Sequence, residues 1–120
     1  MAATPQVVIM APVRELVIQI YDEARKFCGG TNLRCSLVYG GTSVQDQLLA
    51  LSQGCNILVA APGRLLDFVE RGRISFKNVQ CLILDEADRM LDMGFMPQVR
   101  TSSNSFPSHL SILINIVISR

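Results

Sequence analysis

Three carboxylates stand within four residues directly after a short, largely apolar run. The run occupies residues 79–84, and Asp85, Glu86 and Asp88 follow it. An apolar strand cannot keep an unpaired charge inside a protein, so these acids are expected where the strand leaves the sheet, near solvent or a bound cation. Acids in that position can hold a magnesium ion and polarise a water molecule, which is the chemistry that nucleotide hydrolysis requires.

The usual partner of such acids does not occur in the sequence. These 120 residues contain no Gly-x-x-x-x-Gly-Lys-Ser/Thr loop, which would cradle the phosphates of a nucleotide. Histidine-dependent catalysis is also disfavoured, because His109 is the only histidine and lies in a segment unlike the rest of the chain. Base chemistry is therefore expected to depend on a carboxylate, and the chain is expected to be a piece of a larger enzyme.

The elements that must position these acids alternate regularly along the chain. Short apolar runs, typical of strands covered on both faces, alternate with amphipathic helical stretches that end near glycines. This order predicts an α/β fold with a parallel sheet flanked by helices. Ligands bind at the carboxyl ends of the strands in such sheets. The predicted strands are residues 7–11, 35–39, 57–61 and 81–84, and the turns expected to meet at that edge are 12–14, 40–41, 62–64 and 85–88.

Composition and charge limit the function. An apolar fraction of 49% supports a globular core, and a net charge of +1 gives no overall attraction to nucleic acid or membrane. Residues 1–4 give no indication of a secretion signal, and the longest apolar stretch, 110–118, is much shorter than the about 20 residues that span a bilayer. The chain is therefore expected to be soluble and intracellular, and any contact with RNA or DNA must come from a local patch.

The cysteines are expected to be free thiols in a reducing compartment. None of them forms a C-x-x-C pair, which disfavours a zinc site, and a disulfide is the other alternative. They are Cys28, Cys35, Cys55 and Cys81.

The character of the sequence changes after residue 100. Residues 101–105 are rich in serine, and residues 110–118 are dense in isoleucine, leucine and valine without acids or bases. We predict a domain over residues 1–100 and a divergent tail over residues 101–120. The tail could add a strand to the edge of the sheet, and if left unpaired it would be an aggregation hazard.

Taken together and in order, the acidic segment and the turns resemble the first RecA-like domain of DEAD-box RNA helicases. The resemblance covers residues 5–100, and residues 5–27, 39–43 and 89–95 are most similar to the Vasa branch of that family. It implies a partial RecA-like domain of the P-loop NTPase type that lacks its phosphate loop.

The resemblance assigns a function to each acid. Asp85 would hold magnesium through water, Glu86 would act on the attacking water, and Asp88 would couple the nucleotide state to the RNA-facing loops. The alternative is that each is a solvated or helix-capping acid, and Asp88 could be the N-cap of a following helix. The parent enzyme would use ATP and magnesium, which these 120 residues alone are not expected to bind stably.

The resemblance also implies contacts with the RNA backbone. An arginine at a helix N-terminus can meet a phosphate with its forked side chain and the free amides of the helix. The alternatives are an exposed Arg14, or one paired with Glu15 or Asp88, and a plain turn at the two glycines. The implied RNA-binding residues are Pro12, Arg14, Gly40, Gly41, Pro62, Gly63 and Arg64.

Two positions depart from the family pattern. Val13 and Ala61 stand where the family uses threonine, so two hydroxyl groups that could donate to RNA phosphates are missing. Weaker RNA binding than in a typical family member is therefore expected.

The leading hypothesis is a fragment of an ATP-dependent RNA helicase that binds single-stranded or duplex RNA. No second RecA-like domain is present in these residues, and no ATPase activity is expected from them alone. An ATP-independent module that binds RNA or a protein partner is the second hypothesis, and a poorly folded product without a function is the third. A cytoplasmic location is expected, with the nucleus and RNA granules also open.

Overall fold

The computed structural model describes residues 2–94 and 111–115. The residues outside this description are 1, 95–110, which include His109, and 116–120. The elements are β1 (Val7–Met10), α1 (Arg14–Cys28), β2 (Cys35–Val38), α2 (Val44–Ser52), β3 (Ile57–Ala60), α3 (Pro62–Glu70), β4 (Cys81–Asp85), α4 (Ala87–Asp92) and β5 (Ser111–Asn115). The four predicted strands are confirmed to within one residue at their carboxyl ends.

The strands form a single parallel sheet in the order β2-β3-β1-β4-β5. Met10 at the end of β1 lies beside Ala60 of β3 and Leu84 of β4, so the carboxyl ends of these strands are level. The predicted parallel α/β sheet is confirmed. The tail does add an edge strand, because β5 pairs in parallel with β4.

The two faces of the sheet are covered unequally. One face carries the larger core, in which Met10, Leu58 and Leu82 of the strands pack with Leu65 and Phe68 of α3. The other face is packed against α1, whose Leu16 and Val17 meet Ala11, Val59 and half-buried residues of the strands. Burial therefore alternates between half-buried and buried residues along β1 and β2, and the predicted cover on both faces of the strands is present, although it is thinner on the α1 face.

The described helices are all short or amphipathic. In the ranges 2–94 and 111–115, no helix is long and apolar enough to cross a membrane.

Candidate functional site

The carboxyl ends of β1 to β4 form one continuous edge, which we call the rim (residues 11–14, 39–43, 61–64 and 85–88). Backbone bonds tie neighbouring parts of it together: Ala11 N donates to Ala60 O at 3.1 Å, and Ala61 N donates to Val38 O at 2.9 Å. The strand order places the acidic turn after β4 next to the Arg14 turn after β1, with the Arg64 turn one strand further. The rim therefore brings together the four segments that the sequence predicted to meet.

Arg64 is held by contacts on several sides. Its Nη1 donates to Gln47 Oε1 at 3.1 Å, and both terminal nitrogens approach Thr42 O at 3.4–3.5 Å. The guanidinium also lies over the Phe68 ring, 5.6 Å from its centroid. A guanidinium has five N–H donors, so these contacts leave donors for a phosphate.

Arg14 is exposed, and its guanidinium lies over the ring of Tyr39 at 5.3 Å from the centroid. Within residues 2–94, no ion pair joins Arg14 to Glu15 or Asp88, so the paired alternative has no support. A cation over an aromatic face at an exposed site contributes about 0.5–1 kcal/mol, enough to bias the side chain towards the rim. We call residues 12–14, 39–43 and 61–64, with Gln47, the basic half of the rim.

Gln47 and Tyr39 were missed as functional candidates. Gln47 is only 8% exposed, and its Nε2 donates to Tyr39 O at 3.0 Å. One signal could have found it: Gln47 shares the apolar face of α2 with Val44 and Leu51, and a polar side chain on a buried face needs hydrogen-bond partners.

The two glycines of the loop after β2, Gly40 and Gly41, differ in whether the backbone conformation requires glycine. Gly41 has φ +81°, a left-handed conformation that disfavours other residues. Gly40, like Gly63 in α3, has neither a positive φ nor any atom within 4 Å of an added Cβ. The chain itself therefore does not demand glycine at positions 40 and 63, and close approach of RNA there stays a prediction.

The helices that start at the rim differ in their capping. Val13 and Ala61 are the N-caps of α1 and α3; both have extended backbone and neither makes a side-chain cap bond. In α2, by contrast, Ser43 Oγ accepts from Asp46 N at 3.2 Å. The two positions where the sequence lacks the threonines of the family pattern are therefore helix N-caps.

The acidic half of the rim comprises residues 85–88. Asp85 ends β4 and is 3% exposed. Glu86 follows with φ 53° and ψ 52°, the one left-handed non-glycine among the described residues, and its carboxylate lies 3.8 Å from Arg89 Nη1. Such a backbone costs about 1–3 kcal/mol and is concentrated at functional sites.

Asp88 is exposed in the first turn of α4, which begins at Ala87. The N-cap of this helix is Glu86, so the alternative that Asp88 caps the helix is wrong. A carboxylate in the first turn is still favourable, because it faces the positive end of the helix dipole.

The donor set of the acidic half fits magnesium better than a transition metal. No group of three or more His, Cys, Asp or Glu side chains that could cage an ion occurs in residues 2–94 and 111–115. Magnesium is commonly bound through one or two carboxylates, with water and substrate phosphates completing its shell. A buried carboxylate such as Asp85, at the edge where a ligand would sit, suits that mode.

The cysteines take no part in the rim. All four are free thiols. Burial raises the pKa of Cys35 to about 12, with Cys28 and Cys55 adding to the rise, and burial raises the pKa of Cys55 to about 11. A thiol with a raised pKa is a poor nucleophile at neutral pH, so Cys35 and Cys55 are not candidates for nucleophilic catalysis.

Comparisons with known proteins agree with this geometry. The sequence model of the DEAD/DEAH box helicase family matches residues 1–115, beyond the domain boundary predicted at residue 100, which stays a prediction. Among solved structures, the chain is similar to a DEAD box protein from the hyperthermophile Methanococcus jannaschii, at 40% identity and a TM-score of 0.88. The match covers 98% of this chain and 32% of that one. The predicted RecA-like fold is confirmed, and the chain spans about a third of the length of the structure it matches.

Proposed function

The chain belongs to the DEAD/DEAH box helicase family, and from this premise we propose that it supplies part of the first RecA-like domain of an ATP-dependent RNA helicase. One observation carries the proposal: the rim sets the buried Asp85 and the strained Glu86 beside the Arg14 turn, within one sheet edge. Acids for nucleotide chemistry and arginines for a phosphate backbone are thus neighbours, as coupling between ATP and RNA requires.

The acidic half would serve the hydrolysis of ATP. Asp85 would hold magnesium through water, and the ion would neutralise charge on the nucleotide phosphates. Glu86 would orient the attacking water and accept its proton, since no histidine lies in the described part of the chain. Asp88, exposed one turn into α4, would transmit the nucleotide state to the RNA-facing loops.

The basic half would grip the RNA backbone. Arg14 and Arg64 offer forked donors, and the N-termini of α1 and α3 begin without side-chain caps at Val13 and Ala61. The amides of the first turn, which in α3 begin at Gly63 because Pro62 has no N–H, are therefore available to a phosphate, with the helix dipole favouring the negative charge. Pro62 at the start of α3 and the glycines at 40, 41 and 63 would keep the backbone accessible.

We further propose that these 120 residues alone do not hydrolyse ATP. They contain no phosphate-loop sequence, so the acidic half has no partner to position a triphosphate. The similarity to the Vasa branch, through residues 5–27, 39–43 and 89–95, is part of the same proposal. So is a cytoplasmic location, with the nucleus or RNA granules as alternatives.

An ATP-independent RNA-binding module is the second candidate function. The network around Arg64 and Arg14 favours it, because the basic half is organised by contacts within this chain and needs no nucleotide to form. The two candidates share an RNA surface. They differ in whether ATP acts on that surface in a longer enzyme, and both predict ATP-indifferent binding by these 120 residues alone.

Hydrolysis and RNA binding of the full chain test both candidates. Labelled oligouridine is titrated with the protein at fixed salt, with and without Mg-ATP, and phosphate release is followed in parallel. We expect binding that is indifferent to ATP, no phosphate release above background, and a loss of about a hundredfold in affinity for Arg14→Ala with Arg64→Ala, at roughly tenfold per charged contact.

Arg34→Ala is the matched control, since this exposed arginine precedes β2 at the opposite edge of the sheet. An equal loss of affinity in Arg34→Ala would show that binding depends on charge alone and would refute the RNA surface. RNA-stimulated phosphate release that disappears in Glu86→Gln would refute the proposed lack of ATPase activity.

A further inference from the structure

The side chain of Gln47 has a hydrogen-bond partner at each end of its amide. Its Nε2 donates to Tyr39 O at 3.0 Å, and its Oε1 accepts from Arg64 Nη1 at 3.1 Å. A backbone carbonyl cannot donate and a guanidinium cannot accept, so the amide fits between them in only one orientation. Gln47 is 8% exposed, which leaves it little surface for contact with a ligand.

These two bonds place Gln47 at the centre of the basic half. Arg64, which donates to Gln47, also donates to Thr42 O, and this contact connects α3 to the loop after β2. Tyr39, whose carbonyl Gln47 holds, carries the Arg14 guanidinium over its ring. One buried amide is therefore connected to both arginines, directly in one case and through one residue in the other.

We propose that Gln47 is a positioning residue for RNA-backbone binding, which fixes Arg64 directly and Arg14 through Tyr39 without touching RNA itself. The inference rests on the proposed RNA surface. Long arginine side chains lose much rotamer freedom when they bind a phosphate, and ordering them beforehand lowers that cost. Removing Gln47 should weaken RNA binding by about three- to tenfold, the net effect of one ordinary hydrogen bond, because both arginines keep their charge and lose only their order.

Two variants separate the two bonds. Gln47→Leu removes both and suits a largely buried site. Gln47→Glu keeps an acceptor for Arg64 but loses the donor to Tyr39 O. Gln45→Leu is the matched control, because Gln45 is exposed in the same helix.

The first measurement is independent of RNA. The full chain is treated with phenylglyoxal, which modifies accessible arginines, and the rate at each arginine is read by mass spectrometry. We expect Gln47→Leu to speed modification of Arg64 several-fold and of Arg14 less, and Gln47→Glu to leave Arg64 slow while Arg14 becomes faster. Arg34, at the other edge of the sheet, should keep its rate in every variant.

An unchanged Arg64 rate in Gln47→Leu would overturn the inference. If the modification rate at Arg34 also rises in Gln47→Leu, that variant has unfolded, and the test then depends on Gln47→Glu. An unchanged modification rate at Arg14 in Gln47→Glu would overturn the inference.

The second measurement is a double-mutant cycle in RNA binding. In the Arg64→Ala background, Gln47→Leu should lose most of its effect on oligouridine affinity, because its direct partner has gone. Fully additive losses would mean that Gln47 acts through general stability and would refute the positioning function. If the unmodified chain binds no RNA, the proposed function fails, while the phenylglyoxal rates still decide whether Gln47 positions the arginines.

Discussion

The basic and acidic halves of the rim are built in different ways. In the basic half, contacts join α1, the loop after β2, α2 and α3: Arg14 lies over the ring of Tyr39, and Gln47 bonds both Tyr39 O and Arg64. In the acidic half, the backbone sets the geometry, through the end of β4, the left-handed Glu86 and the short helix α4. The first half is ordered by side-chain contacts between helices and the loop after β2, and the second by a strained turn.

This difference indicates how the two proposed activities would divide. A surface whose arginines are ordered beforehand could meet an RNA backbone without a nucleotide, since less remains to be ordered on binding. A strained turn that carries Glu86 beside a buried Asp85 stores free energy at the place where a nucleotide would be met. We therefore expect changes in the basic half to alter RNA affinity, and changes in the acidic half to alter stability first.

Among substitutions that should stabilise the fold, the largest effect is expected from threonines at the two uncapped helix starts. A hydroxyl at Val13→Thr or Ala61→Thr can accept from an amide of the first helical turn and donate to an RNA phosphate at the same time. We expect about 1 kcal/mol of added stability per substitution and at least about tenfold tighter RNA binding for the pair. Urea unfolding and a titration at matched salt measure the two effects.

Ser43→Ala is the control for the threonine variants. It removes the existing cap bond of α2 and should cost about 1 kcal/mol. If the threonine variants change neither stability nor RNA affinity while Ser43→Ala destabilises, the missing hydroxyls do not limit the basic half.

A smaller effect is expected in the acidic half from Glu86→Gly. Glycine adopts the left-handed conformation freely, so relief of about 1–2 kcal/mol of strain should exceed the added entropy of the unfolded chain. The lost contact with Arg89 at 3.8 Å is partly exposed and contributes little. We expect a net gain in the free energy of unfolding of up to about 1 kcal/mol, measured in urea.

Asp88→Gly is the matched control in the acidic half. Asp88 is helical, so glycine there should cost up to about 1 kcal/mol, partly through helix propensity and partly through the lost carboxylate at the positive end of the helix dipole. A loss of stability in Glu86→Gly as large as that in Asp88→Gly would show that the turn is not strained, and the contrast between the halves would disappear.

The smallest effect on stability is expected from Gly63→Ala in the basic half. Alanine meets no atom within 4 Å there and favours the helix, so stability should rise by roughly 0.5 kcal/mol in this first helical turn. The added methyl group should nevertheless crowd the first amides of α3 and weaken RNA binding a few-fold. Gly41→Ala, at φ +81°, should instead destabilise the fold. Unchanged RNA affinity in Gly63→Ala would remove the N-terminus of α3 from the RNA surface.

The sequence predicted the sheet and the rim well, for physical reasons. The strands are short apolar runs bounded by turn residues, and the parallel arrangement brings their carboxyl ends to one edge. The contacts within the rim were less accessible, since Arg64 and Gln47 belong to different helices and their bond depends on how α2 and α3 lie against the sheet. Nothing in the sequence predicts the left-handed backbone of Glu86 or the start of α4 before Asp88, because acidic residues are common at such positions.

The strand at the centre of the sheet has a consequence for how this protein folds. Val7 of β1 pairs with Ile57 on one side and with Cys81 on the other, so the earliest strand cannot find its neighbours until distant segments arrive. Such high contact order slows folding and makes it cooperative, because loop-closure entropy is lost before the pairing is gained. The basic and acidic halves of the rim should therefore form in a single late step of folding. A chain cut within β3 or β4 should form neither half.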